Sequence, residues 1–349
     1  MSSTDQRFER ACAIMREAVS SGECASAVMG IANSRETLRL EAASPADGSE
    51  LAKVDSIYLL ASITKTFFGT MLMQLAEQGK LLLTDPVARY IPEFAVNGKG
   101  GVTIWNLLTH TSGLAEEPYL EVWKRGGSNA EHVAATAAGW LYFEPGAYYE
   151  YCNSAFWILG ELITRISGQA YPSYLREHIL APLGMHDTAF NFLGEHANRM
   201  MPIHNAEKEG LLSAPQAATY FASVSFGAGG LWSTVPDLIA YGQAVLNSLK
   251  GVKPALCSYN GIKTMTRWHT QGINEVSGLP SYYGLGWGLD GGNGFCLGTG
   301  SGFGHGGATT TYFWIEPDLD LVFVYLCNMW GTERRASQLA LNAVLAEVK

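Results

Sequence analysis

Ser62 and Lys65 stand three residues apart in SITKTFFGTMLMQLA, a run in which Lys65 is the only charged side chain. That spacing puts both on one face of a helix, and a helix apolar nearly all round is a buried one. Burial penalises an ammonium, so desolvation draws the lysine pKa toward neutrality. A serine hydroxyl beside a lysine able to act as base suits nucleophilic acyl transfer, and N–H groups at the helix N-terminus can meet an oxyanion. The same two residues also read as a serine N-cap and a lysine that snorkels to the surface.

Two further groups lie downstream. Tyr151-Cys152-Asn153 follows the Glu144-Pro145-Gly146 turn and precedes a helix starting near Ser154. A tyrosine there can shuttle a proton where a neighbouring cation lowers its pKa, and the Asn153 amide can hold a substrate carbonyl and the lysine together. Taken alone, Asn153 serves equally as an N-cap and Tyr151 as a packing aromatic. The run GTGSGFGHGGATTTYFWIE leads into a strand, and its glycines permit close approach of a backbone or a ligand. His305 can donate a hydrogen bond to substrate there, and the Ala308 N–H can complete an oxyanion hole with that of Ser62. For His305 alone a structural role is the plainer alternative. Gly302, Gly304 and Gly307 match the spacing of a dinucleotide fingerprint, but a strand rather than a helix follows, which excludes it.

These residues need elements to position them. The first 20 residues predict an amphipathic helix, with Phe8, Cys12, Met15 and Val19 at helical spacing and Ser3 with Gln6 as a capping box. ASAVMGIAN and TLRLEAA predict a strand pair turning near Ser34, and Ser62 to Gln78 a helix closed by Gly79. The pattern is then mostly helical to about residue 270: TIWNLLTH, NAEHVAATAAGW, SAFWILGELITRIS closed by Gly168, YPSYLREHIL and VPDLIAYGQAVLN. YYGLGWGLD, TTTYFWIE and LDLVFVYLCN predict strands, the last two joined by a turn at Glu316-Pro317-Asp318. TERRASQLALNAVLAEV closes the chain as a helix with Thr332 as N-cap.

That order predicts a mixed α+β fold. Both ends of the chain meet on one antiparallel sheet flanked by N- and C-terminal helices, with a mostly helical insertion between. The sheet domain takes residues 1–60 with 275–349, the helical domain 61–274, and the site is expected at their junction. The segments 191–225, with His204, and 250–280 are expected to line or cover the cleft.

In the order S-x-x-K, Y-x-N and H-x-G, the three groups resemble those of the superfamily of class C β-lactamases, serine D-Ala-D-Ala peptidases and family VIII carboxylesterases, the last above all. LLTHTSGL at 107–114, GAGGLWSTVPDLIAYGQAVLN at 227–247 and YGLGW at 283–287 are similar too, so the likeness runs from about residue 55 to 328. The resemblance implies Ser62 as nucleophile, Lys65 and Tyr151 as the acid–base pair, and Asn153 as the group orienting the substrate carbonyl. It further implies a strand edge ending at Gly307-Ala308 along which substrate lies. The fold it implies, β-lactamase/transpeptidase-like, agrees with the one read from the elements.

His305 stands where β-lactamases and transpeptidases commonly carry a lysine that holds the substrate carboxylate. A mostly neutral histidine weakens that hold, and an uncharged ester does not need it. The expected function is a serine hydrolase cleaving small, short-chain carboxylic esters through an acyl-enzyme on Ser62. The alternatives are a D-aminopeptidase, D-Ala-D-Ala peptidase or amidase with weak β-lactamase activity, an acyltransferase, and a catalytically silent family member.

Composition narrows the partners. Hydrophobic residues make up 47% of the 349 and charged ones 16%, the balance of a chain with a substantial core. The net charge is −9 and no run of Lys or Arg occurs, which points away from nucleic acid. The expected partner is a small ester or amide substrate. No H-E-x-x-H motif or clustered Cys/His set appears among the eight histidines, so neither metal nor cofactor is expected. The absence of G-x-S-x-G argues against an α/β-hydrolase. Cys12, Cys24, Cys152, Cys257, Cys296 and Cys327 are scattered and read as free thiols. With no long apolar window and no signal-like start, the expected setting is the cytoplasm, without membrane attachment.

Overall fold

A computed structural model describes residues 7–192, 196–209, 214–291, 296–331 and 333–348. The capping box of Ser3 and Gln6 and the N-cap Thr332 lie outside these residues.

The strand β8 (Leu321–Cys327) is apolar at every position because both its faces are covered. Val322, Val324 and Leu326 enter one core, and Leu321, Phe323, Tyr325 and Cys327 enter the other. It lies between β1 (Ala27–Ala32) and β7 (Tyr312–Glu316), so strands from the two ends of the chain are neighbours. With β2 (Thr37–Ala43), β5 (Gly288–Leu289) and β6 (Phe303–Gly306) they form a sheet ordered β2-β1-β8-β7-β6-β5, antiparallel at every pairing.

The outer face is closed by α1 (Glu9–Ser20) and α11 (Arg335–Leu345), which pack on each other. Cys12, Met15 and Val19 from the first helix, Phe8 just before it, and Ala340, Leu341 and Val344 from the second fill that core. Each fully buried apolar side chain of this kind contributes roughly 1.5–3 kcal/mol. On the inner face α9 (Val235–Lys250) lies against β1 and β8. Further from the sheet are α2 (Thr64–Glu77), α3 (Ile104–Leu108), α4 (Glu117–Lys124), α5 (Asn129–Ala138), α6 (Ala155–Ser167), α7 (Tyr171–Leu175), α8 (Ala214–Ser223) and α10 (Tyr259–Met265). A short ribbon of β3 (Tyr58–Leu59) and β4 (Trp232–Ser233) sits beside the start of α2.

The α+β architecture and the two-ended antiparallel sheet are as the sequence predicts. Three local features differ. YYGLGWGLD contributes only the two residues of β5, because Gly286 turns at φ +77 to bring the chain against α2. FGHG, inside the glycine-rich run, is itself β6. The short helices α4, α8 and α10 were not predicted.

Candidate active site

Lys65 is wholly buried in the first turn of α2, and its Nζ donates three hydrogen bonds. They reach Ser62 Oγ at 3.0 Å, Asn153 Oδ1 at 2.9 Å and the Ala228 carbonyl at 2.8 Å. Burial is the main cause that lowers its pKa, to about 7, while the negative charge of Glu116 works in the opposite direction. The two carbonyl oxygens can only accept. In the neutral amine they take both N–H groups, which leaves the lone pair facing the Ser62 hydroxyl.

Ser62 sits in a 3₁₀ turn, Ala61–Ile63, just ahead of α2 rather than inside it. Ala61 adopts a left-handed φ of 47, a conformation that costs a non-glycine residue about 1–3 kcal/mol. Tertiary bonds hold it there. Leu60 N–H donates to Leu231 O (2.8 Å), Thr311 Oγ1 to Leu60 O (2.9 Å) and Thr309 Oγ1 to Leu59 O (2.8 Å). The chain after β6 therefore presses on the Ser62 turn. A Cβ at Gly307 would come within 2.4 Å of Leu60 O, so only glycine fits. Gly286 meets the next turn in the same way, its Cβ position lying 2.6 Å from Lys65 O.

Tyr151 lies across the lysine, with Nζ 4.7 Å from its ring centroid, and shares the cavity wall with Ser62. Burial raises its pKa, so it stays protonated, yet 36% of its surface opens to the cleft. Asn153 turns its Oδ1 to Lys65 and its Nδ2 to Glu116 Oε2 at 3.4 Å. It is not the N-cap of α6, a position held by Ser154. Ser154 N–H donates to Glu116 Oε1 at 2.7 Å, so one carboxylate fixes the whole entrance of α6.

His305 reaches the site but both ring nitrogens are engaged. Nδ1 faces the Gly306 carbonyl at 2.8 Å, which requires the proton there, and Nε2 accepts from the Tyr283 hydroxyl at 2.8 Å. In this tautomer the ring has no N–H to offer a substrate, contrary to the expectation from sequence. Burial and then the charge of Lys65 lower its pKa to about 3, so the ring is neutral. Gly307 and Ala308 follow, and Ala308 lines the same cavity as Ser62.

Three contributors were not singled out in the sequence. Glu116 resembles its neighbour Glu117 and carries no local signal. His110, within LLTHTSGL, stacks on Tyr151. Arg334 lies along the edge of β6, its Nε 2.7 Å from where a Cβ of Gly306 would be, and its positive charge bears on Tyr151 and His305. Of the segments expected to line or cover the cleft, 191–225 contributes Phe221 to the cavity beside Ser62, whereas its His204 bonds Glu50 at 2.8 Å, and Tyr259, Lys263, Thr266 and Trp268 border a separate cavity of about 650 Å³ that shares no wall residue with that one. Among the described residues one cluster has metal-ligand spacing, Glu9, Cys12 and Glu41, and its carboxylates are paired with Arg16 and Arg39. No helix of the described residues is long and apolar enough to cross a membrane.

The chain is 31% identical over 208 residues to the D-alanyl-D-alanine-carboxypeptidase/endopeptidase AmpH of Escherichia coli strain K12. That match covers 56% of this chain and 50% of AmpH, so the chain spans about half the length of this relative. Among solved structures, a penicillin-binding protein homologue from Caulobacter crescentus shares the fold with a TM-score of 0.84 at 22% identity, covering 98% of both chains. A family VIII carboxylesterase superposes with a TM-score of 0.81 at 22% identity, covering 98% of this chain and 97% of its own. Residues 12–347 match the beta-lactamase family, and with the sheet, the helical block and the Ser62–Lys65 pair in place, this chain belongs to that family.

Proposed function

We propose that the protein is a serine hydrolase of small, uncharged carboxylic esters. The observation that carries this is the set of three bonds at a wholly buried Lys65, whose pKa burial lowers to about 7 and whose neutral form turns its lone pair toward Ser62. Lys65 takes the proton as Ser62 Oγ attacks the ester carbonyl. The N–H groups of Ser62 and Ala308 meet the tetrahedral oxyanion. The intermediate collapses to an acyl-enzyme as Tyr151, held protonated, gives its proton to the leaving alcohol and regains one from the Lys65 ammonium, which returns Lys65 to the neutral amine. Water then attacks the acyl carbonyl, its proton passes to the Lys65–Tyr151 pair and from there to Ser62 Oγ as the C–O bond breaks, and the acid and free Ser62 are released.

Two features support an ester over a charged peptide. His305 is neutral with both nitrogens occupied, and among the described residues the wall of the cavity beside Ser62 carries no charged side chain. A second reading, a peptidase for substrates ending in a D-amino-acid carboxylate, is favoured by one observation. Arg334 stands at the edge of β6, where its charge is felt at Tyr151. Wild type and Ser62→Ala, assayed on a short-chain p-nitrophenyl ester, a D-alanine p-nitroanilide and a chromogenic cephalosporin, separate the two. The ester should be turned over orders of magnitude faster, and only by wild type. A faster cephalosporin, which alone of the three carries a carboxylate, would move the assignment to Arg334 and the peptidase, and a faster anilide would move it to a D-aminopeptidase that needs no carboxylate partner.

A further inference from the structure

The cavity at Ser62 encloses about 260 Å³. Besides Tyr151, five aromatic residues, Tyr119, Trp123, Phe221, Phe226 and Trp330, join Leu120, Ala228 and Gly229 in its wall. The rings brace one another. Tyr119 and Phe226 stack at 5.8 Å and 14°, Trp123 meets Phe226 edge-on at 5.2 Å, and Phe221 stacks on Trp330 at 5.9 Å. Four of the five are almost wholly buried, so the slot is defined by rings that have little room to move.

We propose that this slot is an acyl pocket for an aromatic acyl group, one ring on a short linker, such as arylacetyl. This rests on the esterase reading above and names its substrate class. Size decides first. The volume falls below the roughly 300–1,000 Å³ of pockets that take drug-sized ligands, which suits one ring and excludes a long alkyl chain. Shape and chemistry decide next. Ring faces and edges offer another ring offset-stacked and T-shaped contacts that a methyl or a flexible chain cannot match. The acyl side, rather than the alcohol, belongs here. The wall includes Ala61, Ala228 and Gly229 together with Ser62, whose Oγ keeps the acyl group through both steps. The alcohol leaves after the first step, past the exposed side of Tyr151.

The test compares p-nitrophenyl acetate, phenylacetate and octanoate on wild type, Leu120→Trp and Trp330→Ala, with Ser62→Ala as the blank. Leu120 and Trp330 are only partly buried, so both substitutions are compatible with folding, which thermal melting checks. In wild type, kcat/KM for phenylacetate should exceed that for acetate and octanoate at least about tenfold, the scale on which apolar pockets discriminate. Leu120→Trp fills the slot and should lower the phenylacetate-to-acetate ratio at least about tenfold, and Trp330→Ala should raise octanoate relative to phenylacetate. Preference for acetate or octanoate in wild type, or ratios unmoved by either folded variant, would overturn the aromatic pocket and leave the esterase standing. If no ester is hydrolysed above the Ser62→Ala blank, the esterase reading falls and the pocket proposal falls with it.

Discussion

His110 grips the chain on both sides of Tyr151. Its carbonyl accepts from Glu150 N–H at 2.9 Å and its Nδ1 accepts from Cys152 N–H at 3.0 Å, while its ring lies on the Tyr151 ring at 4.4 Å and 30°. The bond from Cys152 places the ring proton on Nε2, which is buried without a partner among the described residues. Burial and the nearby Lys65 and His305 keep the imidazole neutral. His110 is thus a positioning residue for Tyr151, held at a left-handed φ of 58.

Asparagine tolerates that φ and can still accept from Cys152, but it cannot stack. His110→Asn should therefore fold, keep KM for the ester close to wild type, and lose kcat by roughly 10²-fold, the cost of displacing a group by about 1 Å. Steady-state kinetics beside a melting curve check this. A lower Tm with kcat intact would reduce His110 to a packing role.

The state of Lys65 sets the pH dependence. Its pKa is lowered from the usual lysine value to about 7, and catalysis needs the neutral amine. Below that pH the amine is protonated and kcat/KM should fall about tenfold per unit, whereas above it the profile should be level until another group titrates. His305, with a pKa near 3, adds no step between pH 5 and 8. A profile flat from pH 5 to 9 would remove Lys65 as base.

Much of this site was legible in the sequence because its signals are local. A lysine alone in an apolar helix states its own burial, and the order of Ser62, Tyr151 and His305 along the chain carried the rest. What was hidden depends on tertiary partners. Nothing near His305 in sequence shows that Tyr283, 22 residues earlier, occupies its Nε2. Glu116 acts on Asn153 across 37 residues, and the Ala228 carbonyl comes to Lys65 across 163. The two-residue strands β3 and β4 carry no period at all and exist because they clamp the Ser62 turn. Element type was readable where the apolar repeat was long, as in β8 and α2. It was not readable where glycines bend the chain to fit a neighbour, as at Gly286.

Cys152 stands between two site residues, yet its thiol is directed away from reagents. It is 3% exposed, and its Sγ contacts Glu116 Oε1 at 3.2 Å and Ser154 Oγ at 3.0 Å. Burial, with the Glu116 charge, pushes its pKa well above the thiol value, so little thiolate exists at neutral pH. Iodoacetamide at pH 7.5 should leave ester turnover unchanged, and mass spectrometry of the folded protein should find Cys152 unmodified. Inactivation in step with alkylation of Cys152 would show that the entrance of α6 opens in solution.

Glu116 gives the sharpest test of the electrostatics. Its charge is the first influence that opposes the desolvation of Lys65. Glu116→Gln keeps an oxygen for the Ser154 N–H, so the entrance of α6 stays in position, while the charge is removed together with the long 3.4 Å bond from Asn153 Nδ2, which an amide NH2 cannot accept. Without that charge the protonated lysine is less stabilised, its pKa drops further, and the acid limb of kcat/KM moves to lower pH. At pH 6 the variant should then retain a larger fraction of its own maximal rate than wild type does. The maximum itself should fall modestly, because a weaker base accepts the Ser62 proton less readily. Matched pH–rate profiles of the two proteins measure the shift. A limb that moves to higher pH, or not at all, would mean that Glu116 shapes the site without tuning its base.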